Sequence, residues 1–285
     1  MSSRSRIVAG RPGAVKARRP RDMVVAMRRV LITGMSGLIG EATRRRLEGR
    51  FALRALNRRP LPGVDCHQAD IADLDAIAPA FRDVDAVVHL AAHVANADNR
   101  GEWDAVLRDN VIGTYNVFEA ARRAGVRRVI YASSGATVSN IERDAPYSAL
   151  AAGRYDDVAE WPVLTHESPL RPNGLYGCSK VWGEALARHY ADTTAMSMIC
   201  LRIGHVSAED RPVRPREFSV WCSRRDIAQM IERCLLAPDR LRFDVFFVTS
   251  DNQWSYRDIE HARAVVGFVP EDRAEDHRGS PEAGR

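Results

Sequence analysis

The chain predicts an α/β fold, a doubly wound parallel sheet with helices on both faces. Three observations carry this. Short apolar runs alternate with segments of helical period from Met27 onward. A glycine-spaced turn, LITGMSGLIG over Leu31 to Gly40, joins the first run to the first helical segment. No repeat or low-complexity tract interrupts the alternation. The runs 29–33, 52–57, 64–69, 86–90, 128–132 and 196–201 read as strands. Between them, 37–48, 74–81, 110–124 and 176–191 read as helices. From Ser139 to Pro172 the sequence is irregular, and a connection of that length inside a compact domain is usually functional. Beyond Gly204 the periodicity weakens. Residues 27–272 are therefore expected to form a single sheet domain, with a small C-terminal substrate-covering lobe drawn from parts of 139–172 and 204–272. The polar stretch 273–285 reads as a frayed tail.

Composition narrows the class. The chain is 45% hydrophobic and 28% charged over 285 residues, enough to bury a large core. No apolar run approaches the ~18 residues of a membrane span. The 5 cysteines show neither metal-ligand spacing nor a disulfide pattern, which suits a reducing, cytoplasmic setting. The net charge of +5 is misleading, because residues 1–26 alone carry +6 and leave the remainder at about −1. A nucleic-acid-binding core needs clustered positive charge on its folded part, so that class is excluded. The leader has no apolar segment of a secretory signal. An Arg-rich, acid-poor leader also fits a transit peptide, but the simpler reading is a disordered basic segment ahead of the first strand.

Three constellations carry chemistry. In TGMSGLIG, Gly34, Gly37 and Gly40 lie between a strand and a helix. There glycine permits the tight turn, close approach of a pyrophosphate and close helix–sheet packing. The helix start that follows, with Ser36, Leu38 and Ile39, offers free N–H groups to phosphate. In YGCSK, Tyr176 and Lys180 leave one face of a helix, and an ammonium beside a phenol favours the phenolate. Of the 42 basic residues only Lys16 and Lys180 are lysine, so one compact point charge is kept where arginine serves elsewhere. In VIYASSGATVS, Ser133 and Ser134 end a strand, where open α/β sheets place ligands. At the end of the second strand stand Asn57, Arg58 and Arg59 instead of the acid that commonly binds a ribose. Without that carboxylate, and with arginines at hand for a 2′-phosphate, the cofactor is expected to be NADP in preference to NAD. His89, His93 and His205 have no ligand spacing, so no metal is expected.

Together these motifs resemble the extended short-chain dehydrogenase/reductase family, in its epimerase/dehydratase branch, from about Met27 to Asp272. The resemblance implies a Rossmann fold binding NAD or NADP. Ser134 would bind the reacting oxygen, Tyr176 would move the proton, and Lys180 would hold the nicotinamide ribose and tune Tyr176. Asn110 matches the asparagine near the catalytic strand. Asp70 and Ile71 would lie beside the adenine, Leu90, Ala91 and Ala92 under the adenosine ribose, and Ile203 along the cofactor. A homodimer and a small-molecule substrate are further implications.

Within the family, RPNGLYGCSKVWGEALARHY, LRIG, REFSVWCSRRD and VVGFVPED resemble uronate dehydrogenases. By that likeness Arg216, before Trp221, would hold a substrate carboxylate. The chain departs from those enzymes at Gly135-Ala136, where they carry Asn-His, and at His205 and Val94, where they carry serine. The segment between Ser134 and Tyr176 is also longer. The expected function is NAD(P)-dependent hydride transfer to or from a sugar acid or related polar carbinol. The alternative is an epimerase or dehydratase that recycles its cofactor, and a cofactor-binding protein without catalysis is a third reading.

Overall fold

The structure is a computed structural model and describes residues 28–94 and 102–278; the basic leader and residues 279–285 lie outside these. Seven parallel strands form one sheet: β1 Arg29–Thr33, β2 Ala52–Asn57, β3 Asp65–Gln68, β4 Ala86–His89, β5 Arg128–Ser134, β6 Ser197–Ile203 and β7 Phe243–Val248. Their spatial order is β3-β2-β1-β4-β5-β6-β7. The connections contain helices α1 Leu38–Leu47, α2 Leu74–Ile77, α3 Trp103–Ala105, α4 Gly113–Arg123, α5 Tyr147–Ala151, α6 Gly174–Thr193, α7 Glu217–Val220 and α8 Arg224–Leu236. After β7 comes α9, Glu260–Val266.

The strands read as continuous apolar runs because both faces of the sheet are covered. Along β1 the side chains alternate. Val30 and Ile32 enter one core with Leu47 of α1 and Ile227, Met230, Ile231 and Cys234 of α8. Leu31 enters the other with Val117 and Phe118 of α4 and Ala187 and Tyr190 of α6. Arg128, buried at the start of β5, donates to the carbonyls of Cys234 and Ala237 at 3.0 and 2.6 Å and so closes the C-terminus of α8. A third core is formed by Val138, Tyr147, Leu150 and Leu164 with Phe218, Trp221, Phe247, Trp254 and Tyr256.

Two differences from the sequence reading stand out. The weakening of periodicity after Gly204 conceals α8 and β7, which belong to the main sheet layers. Isolated, FDVFFV shows no alternation, since its apolar residues are spread over three cores. The second difference corrects the frayed tail. Residues 273–278 pack on the domain, with Ala274 fully buried and the Arg278 guanidinium 4.6 Å from the Trp254 ring centre.

Candidate active site

Every expected site residue except Asn110, Tyr176, Lys180 and Arg216 lies at, or just beyond, the C-terminal end of a parallel strand, the edge at which open α/β sheets bind ligands. The glycines of the β1–α1 turn have distinct jobs. Gly34 takes φ +70°, and a Cβ on it would lie 2.9 Å from the Ala91 nitrogen, so the turn abuts the segment after β4. A Cβ on Gly40 would lie 2.5 Å from the Gly34 oxygen, which fixes the close passage of α1 over the turn. Gly37 is different: a Cβ there would meet only the Gly34 oxygen, at 3.4 Å. It is also the N-cap of α1 and makes no side-chain cap, so the first-turn N–H groups of Leu38, Ile39 and Gly40 are available to an anion.

Asn57 ends β2 at 6% exposure, and neither its Nδ2 nor its Oδ1 has a hydrogen-bond partner among the described residues. A buried amide with both ends unmet requires a ligand or water. Beside it Arg58 is 72% exposed and only 3.8 Å from Asp109, and Arg59 is exposed. After β3, Asp70 accepts from the Ala72 amide at 2.9 Å and pairs with Arg108. Burial pushes its pKa up, but these partners outweigh it and hold the carboxylate below its ordinary value. Ile71 packs under Gly113, and its carbonyl accepts from Asn116 at 2.9 Å. Leu90 and Ala91 donate their amides to the Thr33 hydroxyl at 3.2 and 3.1 Å, which ties the segment holding Ala92 to β1. The unmet Asn57, the uncapped α1 and the bare Gly37 together fit a dinucleotide.

At the end of β5 the Ser134 hydroxyl accepts from the Ala136 amide at 3.1 Å and lies near enough to the Tyr176 phenol to lower its pKa. Burial pushes that phenol up to about 12, against the pull of Ser134. Lys180 is 2% exposed, donates to the Ala132 carbonyl at 2.8 Å, and lies 5.4 Å from the Tyr176 ring centre. Burial draws its ammonium down to about 7. The spacing in YGCSK predicts a phenol lowered by its lysine; desolvation of both groups outweighs that attraction here. Asn110 sits in a π-helical stretch, Val106–Ile112, a distortion common at functional sites. Its amide donates to the His93 carbonyl at 2.9 Å and to Ser179 at 3.1 Å, while its oxygen accepts from the His93 amide at 2.7 Å. Asn110 thus joins the segment after β4 to α6. His89 is buried between Thr33 and Thr114, at 2.8 and 3.2 Å, and burial with Lys180 nearby takes it down to about 3.

On the far wall Ile203 is buried at the end of β6, and His205 lies 3.2 Å from Glu217. Burial lowers the His205 pKa despite that carboxylate. Val94 is 73% exposed. Arg216 already has an internal partner: Glu142 accepts from its Nε at 2.5 Å and from its Nη2 at 2.8 Å. Gly135 is backed by the guanidinium of Arg257, and Tyr256 donates to Glu142 at 2.5 Å. Sequence reasoning misses Glu142, Tyr256 and Arg257, because one more arginine in an Arg-rich chain gives no local signal. Among the described residues no His, Cys, Asp and Glu group is arranged to hold a metal.

Comparison with known proteins agrees with this geometry. The model of the NAD dependent epimerase/dehydratase family matches residues 30–269. The NAD-dependent glucose-6-phosphate dehydrogenase of Haloferax volcanii is 34% identical over 257 residues, covering 86% of this chain and 94% of the relative. The L-arabinose 1-dehydrogenase (NAD(P)(+)) of the same organism is 32% identical, covering 87% of this chain and 98% of the relative. An alanine variant of uronate dehydrogenase from Agrobacterium tumefaciens, complexed with NAD, superimposes with a TM-score of 0.72 at 32% identity. That match covers 89% of this chain and 88% of the other.

Proposed function

This chain belongs to the NAD-dependent epimerase/dehydratase family, and we propose that it oxidises a carbinol of a sugar or sugar acid, or reduces the corresponding carbonyl. The observation that carries the proposal is the grouping of Ser134, Tyr176 and Lys180 at the end of β5, on the same edge of the sheet as the uncapped α1 and the unmet Asn57. A bound dinucleotide supplies the hydride acceptor or donor. Ser134 holds the reacting oxygen, with its own orientation fixed by the Ala136 amide. Tyr176 takes the carbinol proton or returns it. Lys180, anchored on Ala132 and beside the Tyr176 ring, reaches the ribose. Asn110 keeps α6 in register with the segment after β4.

The residues at the end of β2 support NADP over NAD. β2 ends in Asn57 instead of a carboxylate that would repel a 2′-phosphate, and Arg58 and Arg59 face solvent, Arg58 only 3.8 Å from Asp109. A lower Kd for NAD than for NADP would reverse this preference. Ile112 and Tyr115 near α4 and Leu175 on α6 expose apolar area suited to a homodimer, and the scattered free thiols suit the cytoplasm.

The second reading is an epimerase or dehydratase, favoured only by the breadth of the family itself. A screen of sugars and sugar acids with both cofactors, read at the absorbance of reduced nicotinamide, decides between them. Net reduction on at least one substrate is expected. Product formed with no net reduction would favour the second reading.

A further inference from the structure

Beside Gly135 two guanidinium groups share one carboxylate, Glu142, and of the two Arg257 is the buried one. Arg257, between β7 and α9, is 4% exposed. Its guanidinium fills the space a side chain at Gly135 would need: a Cβ there would lie 2.3 Å from Nη1 and 2.4 Å from Cζ. Glu142 is largely committed elsewhere, to both donors of Arg216 and to the Tyr256 hydroxyl. Arg257 receives what remains, with Nη2 3.9 Å from Glu142, and its Nε has no hydrogen-bond partner among the described residues. The next carboxylate, Glu217, is occupied by Arg214 at 2.7 Å and by the Val213 amide at 2.7 Å.

A desolvated guanidinium with a half-share of one carboxylate is costly, and the cost is relieved by a second oxyanion. We propose that the substrate supplies it: an oxyanion carried by the sugar, carboxylate or phosphate, docks on Arg257, while Arg216 serves to anchor Glu142. The proposal rests on the dehydrogenase reading above. Gly135 follows Ser134 directly, so an anion at Arg257 lies one residue from the hydroxyl that holds the reacting oxygen. That is the spacing needed to orient a small sugar from two ends. Arg257 is also held firmly. Leu164 donates to the Tyr256 carbonyl at 2.7 Å and Asp258 to the Leu164 carbonyl at 2.9 Å, so its backbone is clamped on both sides. A side chain at Gly135 and the guanidinium of Arg257 exclude each other, which ties the bare glycine to the buried arginine.

The test compares glucuronate, glucose 6-phosphate and glucose with the full-length enzyme and both cofactors. Wild type should favour one or both charged sugars over glucose, and the better of the two identifies the oxyanion. Arg257→Met should lower kcat/KM for that sugar by about 10- to 100-fold, mainly through KM, and leave glucose within about twofold. Arg257→Lys, which retains charge without the planar fork, should recover part of the loss. Equal losses on charged and neutral sugars would reduce Arg257 to a structural role and overturn the proposal. A wild-type preference for glucose would also overturn it, while leaving the dehydrogenase reading intact. Turnover of none of the three would overturn both. Should Arg257→Met fail to fold, melting of the wild type with reduced cofactor decides the matter. The charged sugar should raise Tm and glucose should not; equal shifts overturn the proposal.

Discussion

Gly34 and Gly135 stand at the ends of β1 and β5, and a methyl group added to each would meet different things. At Gly34 it would meet the Ala91 main chain, nitrogen and Cα at 2.9 and 3.0 Å. At Gly135 it would meet the far end of the Arg257 side chain. The end of the sheet proposed to hold the nucleotide is thus shaped by backbone against backbone, with groups such as Asn57 and the α1 N-terminus left unmet. The end proposed to hold the substrate is shaped by long charged side chains from three separate segments: Glu142, Arg216 and Arg257. Backbone geometry has few alternatives, whereas a side-chain cluster can be rewritten one residue at a time. Relatives that share the fold while carrying names for a sugar phosphate, a pentose and a uronate fit that division.

The largest effect belongs to the chemistry between the two halves. Tyr176→Phe should lower turnover by roughly two to four orders of magnitude while dinucleotide affinity, followed by fluorescence titration, changes little. A variant with near-normal turnover would remove Tyr176 from proton transfer. Next is Gly34→Ala. A side chain at φ +70° against the Ala91 main chain should cost about 1–3 kcal/mol of stability and weaken cofactor binding with it. Gly135→Ala should be milder in calorimetry, because a guanidinium can swing aside, yet it should blunt discrimination between charged and neutral sugars. If Gly135→Ala destabilised as much as Gly34→Ala, the contrast between the two halves would fail.

A smaller effect is expected in the pH dependence of stability. Lys180 has a folded pKa of about 7, against 10.5 in the unfolded chain. Between these values the unfolded chain binds a proton the folded one does not, so this contribution grows as pH rises across that window and is flat below it. Wild type should therefore gain stability relative to Lys180→Met between pH 7 and 10 in urea melts. Parallel curves would mean that the lysine stays charged in the fold.

The sequence made the tight β1–α1 turn and the Tyr176–Lys180 pairing legible as local structure, because each is written in consecutive or helix-spaced residues. Gly34, Gly37 and Gly40 are three apart, and Tyr176 and Lys180 four apart. The strands β1, β2, β4, β5 and β6 are legible for the same reason, as short, mainly apolar runs, whereas β3 is the polar DCHQ. What escaped was distributed. β7 feeds three cores and so loses its period, and α8 begins with an arginine pair ahead of its apolar face of Ile227, Met230, Ile231 and Cys234. The Glu142 partner of Arg216 is 74 residues away in the chain, a separation no local pattern reports.

A stoichiometric count bears most closely on the whole account. With limiting sugar or sugar acid and excess NAD or NADP, one reduced dinucleotide should accumulate for each substrate molecule consumed. Tyr176→Phe should accumulate essentially none over the same interval. Complete conversion of the substrate to an isomer or a dehydrated product, with the dinucleotide returned to its oxidised form, would contradict the account.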